Sequence, residues 1–271
     1  MSTGYSSTID TYATLAATKA EALRRSPAGF FAGAILAGTY IGIAMILALS
    51  TASGLEPGVR PLVMGATFGL GLILTVFAGA ELFTGYVMYL GFGLARRTIT
   101  IGDALKLAVV VWIGNLIGGV VLSFVFAAGG GGAIFANADA MFHGYVLHKV
   151  SVDATALLAR AILCNWLVCL AFWTAARMTG DAAKCIAMAW ILLAFVAAGF
   201  EHSVANMTAL TLGLLVPHSS IDLAGMVRNL AIVTVGNTIG ALVFVVGGYL
   251  VASKTDGVVA PAKGAELILP R

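Results

Sequence analysis

The chain reads as an all-α integral membrane protein with six spans, arranged as two inverted three-helix halves in which the second and fifth helices are broken. Three features point there. The 271 residues are 60% apolar and only 10% charged, against about 25% charged in an ordinary soluble domain. Uncharged runs of about 18 residues or more recur, as bilayer spans require. Two overlong apolar runs are each interrupted at a matching place, by Gly79-Ala80-Glu81-Leu82-Phe83-Thr84-Gly85 and by Gly199-Phe200-Glu201-His202-Ser203-Val204-Ala205-Asn206-Met207. Each break is followed downstream by a similar pentapeptide, Gly114-Asn115-Leu116-Ile117-Gly118 and Gly236-Asn237-Thr238-Ile239-Gly240. A bilayer tolerates broken helices and carboxylates only where they line a cavity or are buried in protein, so polar breaks at corresponding points of two halves indicate a permeation path.

The elements follow in order. Residues 1–27 form a polar N-terminal segment without the apolar core and cleavage site of a signal peptide. Its stretch from Ile9 to Arg25 suits a short amphipathic helix, with Tyr12, Leu15, Ala16 and Leu23 on one side, lying at the membrane surface. The channel domain spans 28–252. Span 1 covers about Ala28 to Leu49, and Ser53-Gly54 with Glu56-Pro57-Gly58 marks a turn. The run from Pro61 to Leu94 suits one span broken near Glu81. Span 3 runs from Ala104 to Ala128, closed by Gly129 to Gly132, and Ala133 to Asp153 reads as a longer polar connection. Span 4 covers Ala154 to Ala176. The run from Cys185 to Val216 is the second broken span, and span 6 covers Met226 to Ala252. Residues 253–271 form a polar tail.

Three spans per half force opposite orientations on the two halves. Lys19, Arg24, Arg25, Arg96, Arg97, Lys106, Arg177, Lys184, Lys254, Lys263 and Arg271 fall on one side, against Arg60, Lys149 and Arg228 on the other. This bias places both termini in the cytoplasm. Gly38/Gly42, Gly65/Gly69, Gly114/Gly118 and Gly236/Gly240 are small-xxx-small pairs that permit close helix approach.

His202 is the leading functional candidate. An imidazole is neutral or charged near neutral pH, and inside a membrane its hold on a proton responds sharply to a nearby anion. In a narrow pore it can donate a hydrogen bond to a small weak-acid anion, or hand it a proton. Glu81 and Glu201 are paired acids with two readings. They line a cation or proton site, or, as favoured here, they are structural and accept hydrogen bonds from backbone N–H groups freed at the breaks. Thr84 either hydrogen-bonds a passing ion or caps the second half-helix, and Leu82 and Phe83 beside it suit a dewetting constriction. Lys149 either concentrates anions and tunes His202 or is an ordinary loop lysine. Arg160, two turns into span 4, either snorkels outward or lines a vestibule. His143 and His148 read as loop residues. Cys164, Cys169 and Cys185 read as packing residues. No metal-ligand spacing, phosphate loop or nucleophile motif is present, so the sequence predicts neither an enzyme nor a cofactor or metal, and no nucleic-acid partner.

The residues Pro61-Leu62-Val63-Met64-Gly65-Ala66-Thr67-Phe68, Glu81-Leu82-Phe83-Thr84-Gly85, Cys164-Asn165-Trp166-Leu167-Val168-Cys169-Leu170 and the stretch from Gly199 to Met207 resemble the formate/nitrite transporter family, most closely its nitrite channels, over nearly the whole chain from Ala28 to Val251. The resemblance implies an aquaporin-like fold without sequence relation to aquaporins, a homopentamer with a pore in each protomer, and passage of small monovalent anions across the inner (plasma) membrane. Nitrite comes first, with formate or hydrosulfide as alternatives. It makes His202 the central histidine, Thr84 the threonine of the first break and Lys149 the basic residue before span 4. It also implies an inner slit of Leu72, Leu82, Phe83 and Val168, an outer constriction of Phe68 and Phe195, and a polar pair, Asn165 and Asn206, near the histidine. A basic residue at Arg160 resembles the nitrite branch rather than the formate branch.

Overall fold

A computed structural model describes residues 4–256; most of the expected tail, and with it Lys263 and Arg271, lies outside them. The described chain is helical throughout. Helix α1 (Tyr5–Arg25) leads into α2 (Pro27–Ala52), which starts on a proline in its first turn, where the missing N–H costs nothing. Helix α3 (Arg60–Leu74), extended by a π turn (Thr75–Gly79), and α4 (Phe83–Ala95) form the first broken span. Helix α5 (Ile101–Ala128) opens on a capping box between Thr100 and Asp103. The second half begins after α6 (Gly132–Ala136) and α7 (His143–Ser151). It comprises α8 (Ala154–Ala176), the broken pair α9 (Asp181–Ala197) and α10 (Ser203–Leu215), and α11 (Leu223–Ile239), which passes through a π-helical stretch (Gly240–Gly247) into α12 (Gly248–Ala252).

The surface of this bundle suits lipid. Leu105, Val109, Ile113, Ile117, Val121 and Val125 recur every fourth residue along α5 and are all exposed, a bare apolar stripe that hydrocarbon solvates and water does not. Five helical stretches are long and apolar enough to cross a membrane by length and composition. Inside, α2 packs along α5 and α3, α8 packs along α11, and α3 runs beside α9. A Cβ on Gly65 would touch Leu193 and one on Gly69 would touch Ala189, so α3 and α9 lie antiparallel and close enough to need the glycines. The two ends of the described residues share one face: the ring of Tyr5 lies 5.6 Å from that of Tyr249, and Ser6 N donates to Asp256 Oδ2 at 2.6 Å.

The apolar stripe of α1 (Ile9, Tyr12, Ala13, Ala16, Ala20 and Leu23) is buried, and the helix packs chiefly on α4. Tyr12 OH donates to the carbonyl of Phe172 at 2.7 Å and Arg96 Nε to Asp10 at 2.8 Å, which fix it there. One expectation is corrected: the stretch from Ala133 to Asp153 is not a polar loop. Ile134, Ala138, Phe142 and Val146, four residues apart, are all buried. That helical stripe is masked in the sequence by the polar residues between.

Candidate functional site

The two breaks share one backbone plan. The first helix of each pair ends in a tight turn, with Ala80 N bonded to Thr75 O and Phe200 N to Phe195 O, both at 3.0 Å. Gly79 and Gly199 take φ of 81° and 72° at these ends, a left-handed conformation that costs glycine nothing. Each break strands backbone groups within the span, where hydrocarbon offers them no partner. An asparagine from the following span captures them. Asn115 Nδ2 donates to Ala34 O (2.7 Å) and Glu81 O (2.9 Å), and its Oδ1 accepts from Phe83 N (2.9 Å). Asn237 Nδ2 donates to Ala161 O (2.8 Å) and Glu201 O (2.9 Å), and its Oδ1 accepts from Ser203 N (2.9 Å). Glu81 N and Glu201 N reach Gly33 O and Arg160 O, one residue before those alanines. The asparagines reach because the helices touch: a methyl on Gly38 would collide with the carbonyl of Asn115, one on Gly118 with that of Ile35, and one on Gly240 with that of Ile162.

Asparagines thus take the groups that the carboxylates were expected to bind, and the carboxylates pair with lysines instead. Glu81 accepts from Lys19 Nζ at 2.7 Å and from Tyr86 OH at 2.6 Å. Glu201 accepts from Lys149 Nζ at 2.9 and 3.0 Å and from Asn206 Nδ2 at 2.6 Å. Lys149 is no loop lysine. It is buried, its ammonium sits 4.9 Å from the centre of the Tyr145 ring, and its carbonyl accepts from Asn229, whose Oδ1 accepts from Asn206. Its charge is shared with Glu201.

His202 caps α10. Its Nδ1 accepts from Ala205 N at 3.1 Å, so in the neutral ring the proton sits on Nε2, which faces Thr84 Oγ1 at 3.1 Å. The two breaks are thus joined by a side-chain hydrogen bond. Asn165 lies behind the threonine, donating to Thr84 O at 3.2 Å and Asn237 O at 2.7 Å. Above His202 the rings of Phe68 and Phe195 meet edge to face at 5.6 Å, and both approach the imidazole, at 6.5 and 6.0 Å between centroids. Leu72, Leu82, Phe83 and Val168 are buried in the apolar core.

Cavities open towards this neck from both faces. The cavity on the face opposite the termini has a volume of about 540 Å³ and is lined by Phe68, Phe195, His202, Lys149 and Arg160 among others. The one on the terminal face is about 340 Å³ and is lined by Lys19, Glu81, Leu82 and Tyr86. Arg160 thus lines a vestibule rather than snorkelling away, and His148 joins it there on α7. Among the described residues no group of three or more His, Cys, Asp or Glu side chains could hold a metal.

Paired vestibules meeting at a neck between two broken helices define a multi-span membrane protein built for transport rather than catalysis. The chain belongs to the formate/nitrite transporter family, whose sequence profile matches residues 9–251. It is 43% identical to the nitrite transporter NirC of Salmonella typhimurium over 96% of both chains. Its fold matches an FNT family ion channel of known structure at a TM-score of 0.86, with 42% identity over 91% of this chain and 99% of that one. A pentameric formate channel with formate bound matches at a TM-score of 0.73, with 29% identity over 84% of this chain and 98% of that one.

Sequence reasoning missed Lys19, Tyr86 and Asn229, and gave Asn115 and Asn237 no role although it singled out the repeat that holds them. The available signal was that repeat: an asparagine between glycines in a span has an amide to satisfy and a close neighbour to satisfy it.

Proposed function

We propose that this chain is a channel for small monovalent anions, nitrite first, with His202 donating a hydrogen to the ion at its driest point. The observation that carries the reading is the position of the imidazole: Nε2 lies 3.1 Å from Thr84 Oγ1, beneath the Phe68–Phe195 pair and between two cavities. An anion leaving the vestibule sheds water against apolar rings, at a cost that rises as the surroundings dry. The Nε2–H of His202 and the hydroxyl of Thr84 replace part of that hydration; when the ring takes up a second proton at Nδ1, giving up the Ala205 bond, the imidazolium passes its Nε2 proton to the ion, which crosses as the neutral acid and leaves the ring neutral again. Asn165 holds Thr84 in place. Asn206 and Lys149 hold Glu201, so that this carboxylate does not repel the anion beside His202. Leu72, Leu82, Phe83 and Val168 form the inner slit, and Phe68 and Phe195 the outer one.

The likeness to a pentameric formate channel supports assembly as a homopentamer and keeps formate as the second substrate. The arginine and lysine bias supports a plasma-membrane topology with both termini cytoplasmic. Stopped-flow influx of nitrite, formate and hydrosulfide into proteoliposomes across pH tests the substrate order. His202→Asn should abolish the pH dependence of flux at saturating nitrite and lower that flux by roughly 100-fold or more, the scale of a lost general-acid contribution. Wild-type pH dependence and selectivity in that variant would remove His202 from the mechanism.

A further inference from the structure

The vestibule opposite the termini carries more positive charge than the neck uses. Lys149 and Glu201 compensate each other at 2.9 Å. Arg60 and Arg160 are left, and among the described residues neither lies within ion-pair distance of a carboxylate. Arg60 is spent on backbone, with Nε on Leu55 O at 2.7 Å and Nη1 on Ala140 O at 3.4 Å. Arg160 instead points Nη1 at the imidazole Nε2 of His148, 2.8 Å away, and both side chains line the same cavity.

That contact has only one chemical form. A guanidinium has donors and no acceptor, so Nε2 of His148 must offer its lone pair and the ring must be neutral, with its proton on Nδ1. Once His148 takes a second proton, two donor-only cations face each other and the bond is lost. Among the described residues, the charged groups on the surrounding elements are already engaged. Lys149, beside His148 on α7, is bound to Glu201. Arg228, from α11, donates to the carbonyls of Val150 and Val152. Asp139, on the turn before α7, faces His143 at 3.6 Å. Water reaches the separated pair, and an anion from the vestibule can take its place between the two donors.

We propose that His148 and Arg160 form an anion-holding station in this vestibule, charged by proton uptake at His148 and selective for small planar oxyanions. An oxyanion such as nitrite or formate presents two acceptor oxygens, one for the guanidinium and one for the imidazolium, whereas hydrosulfide offers one large, weakly accepting sulfur that both donors must share, so it holds the pair less well. Proton and anion bind together, so each raises the occupancy of the other. The station would load the mouth ahead of the aromatic constriction and favour oxyanions there.

Because it serves the mouth of the proposed channel, the station rests on that reading, and the test separates the two. Full-length protein in nanodiscs, labelled with 15N-histidine, is titrated between about pH 8 and 5, where histidine changes charge, with sodium nitrite, sodium hydrosulfide or neither; His148→Gln identifies the His148 signals. Nitrite should move the His148 titration to higher pH, and hydrosulfide should move it clearly less. The nitrite shift should vanish in Arg160→Gln and return in part in Arg160→Lys, which keeps the charge but not the fork. In proteoliposomes, His148→Gln should raise half-saturating nitrite about 3-fold to 5-fold, the scale of an exposed ion contact, while leaving the pH response of His202 in place. A nitrite shift that survives in Arg160→Gln, or a hydrosulfide shift equal to that of nitrite, overturns the station whatever the flux. Wild-type vesicles that pass no anion would sink the channel reading alone, since the titration still decides the station.

Discussion

The two breaks have one skeleton and different contents. In both, a left-handed glycine ends a helix, an asparagine from the next span captures three backbone groups, and a lysine from the segment preceding that half binds the carboxylate. At the first break the lysine is Lys19 on α1, with 26% of its side chain exposed; at the second it is Lys149 on α7, with 7% exposed. The first break puts Leu82 where the second puts His202. Hydrocarbon demands that every freed N–H and carbonyl find a partner, so the backbone plan tolerates no divergence. Side chains facing the path carry no such demand and are where the halves differ.

The sharpest way to break this comparison is to remove the asparagines. Asn115→Leu and Asn237→Leu each strand one buried N–H and two carbonyls, at roughly 1–3 kcal/mol per group. Both should therefore cost at least about 3 kcal/mol, seen as a large fall in the thermal unfolding midpoint in detergent. Tolerance of one change and not the other would show that the two cradles are not equivalent.

The lysines come next. Lys149→Met leaves Glu201 charged and buried, which costs about 3–5 kcal/mol. Lys19→Met opens a pair that water partly reaches, and should cost no more than about 1 kcal/mol. The same thermal scans compare them, and equal losses would mean that α1 is as firmly built in as α7.

The smallest effect concerns how α1 is held. The Ser6 backbone N–H bonded to Asp256, with further help from the Ser6 side chain and the Tyr5 backbone, keeps the Asp256 carboxyl below the usual aspartate range. A depressed folded pKa means that this contribution is present at neutral pH. It is lost as pH falls below about 4, the unperturbed aspartate value, and through the lower folded value. A spin label near Ser7 should gain mobility over that window in the wild type, and at all pH values in Asp256→Asn. No counterpart is expected at α7, whose ties are buried.

Much of the fold was legible because bilayer physics writes directly into sequence. Span 4 was delimited at Ala154 to Ala176 and is observed there, and both breaks fell within a few residues of their glycines. His202, Thr84, Phe68 and Phe195 do lie together. The charge partners were not legible. Lys19 is 62 residues from Glu81, and Lys149 is 52 from Glu201, and no local pattern links such distances. The helical stripe from Ile134 to Val146 is not legible as a helix because its apolar positions are sparse and its stability comes from burial against the bundle.

The sequence alone determined the class, the span count, the inversion and the two interruptions, because the length of a hydrophobic run and the rarity of polar residues within it follow from the solvent the chain must live in. Only the tertiary structure decided which donors the breaks use, that Lys149 lends its charge to Glu201, and that Arg160 turns to His148. Those are choices among partners brought close by packing, and packing is a property of the whole bundle.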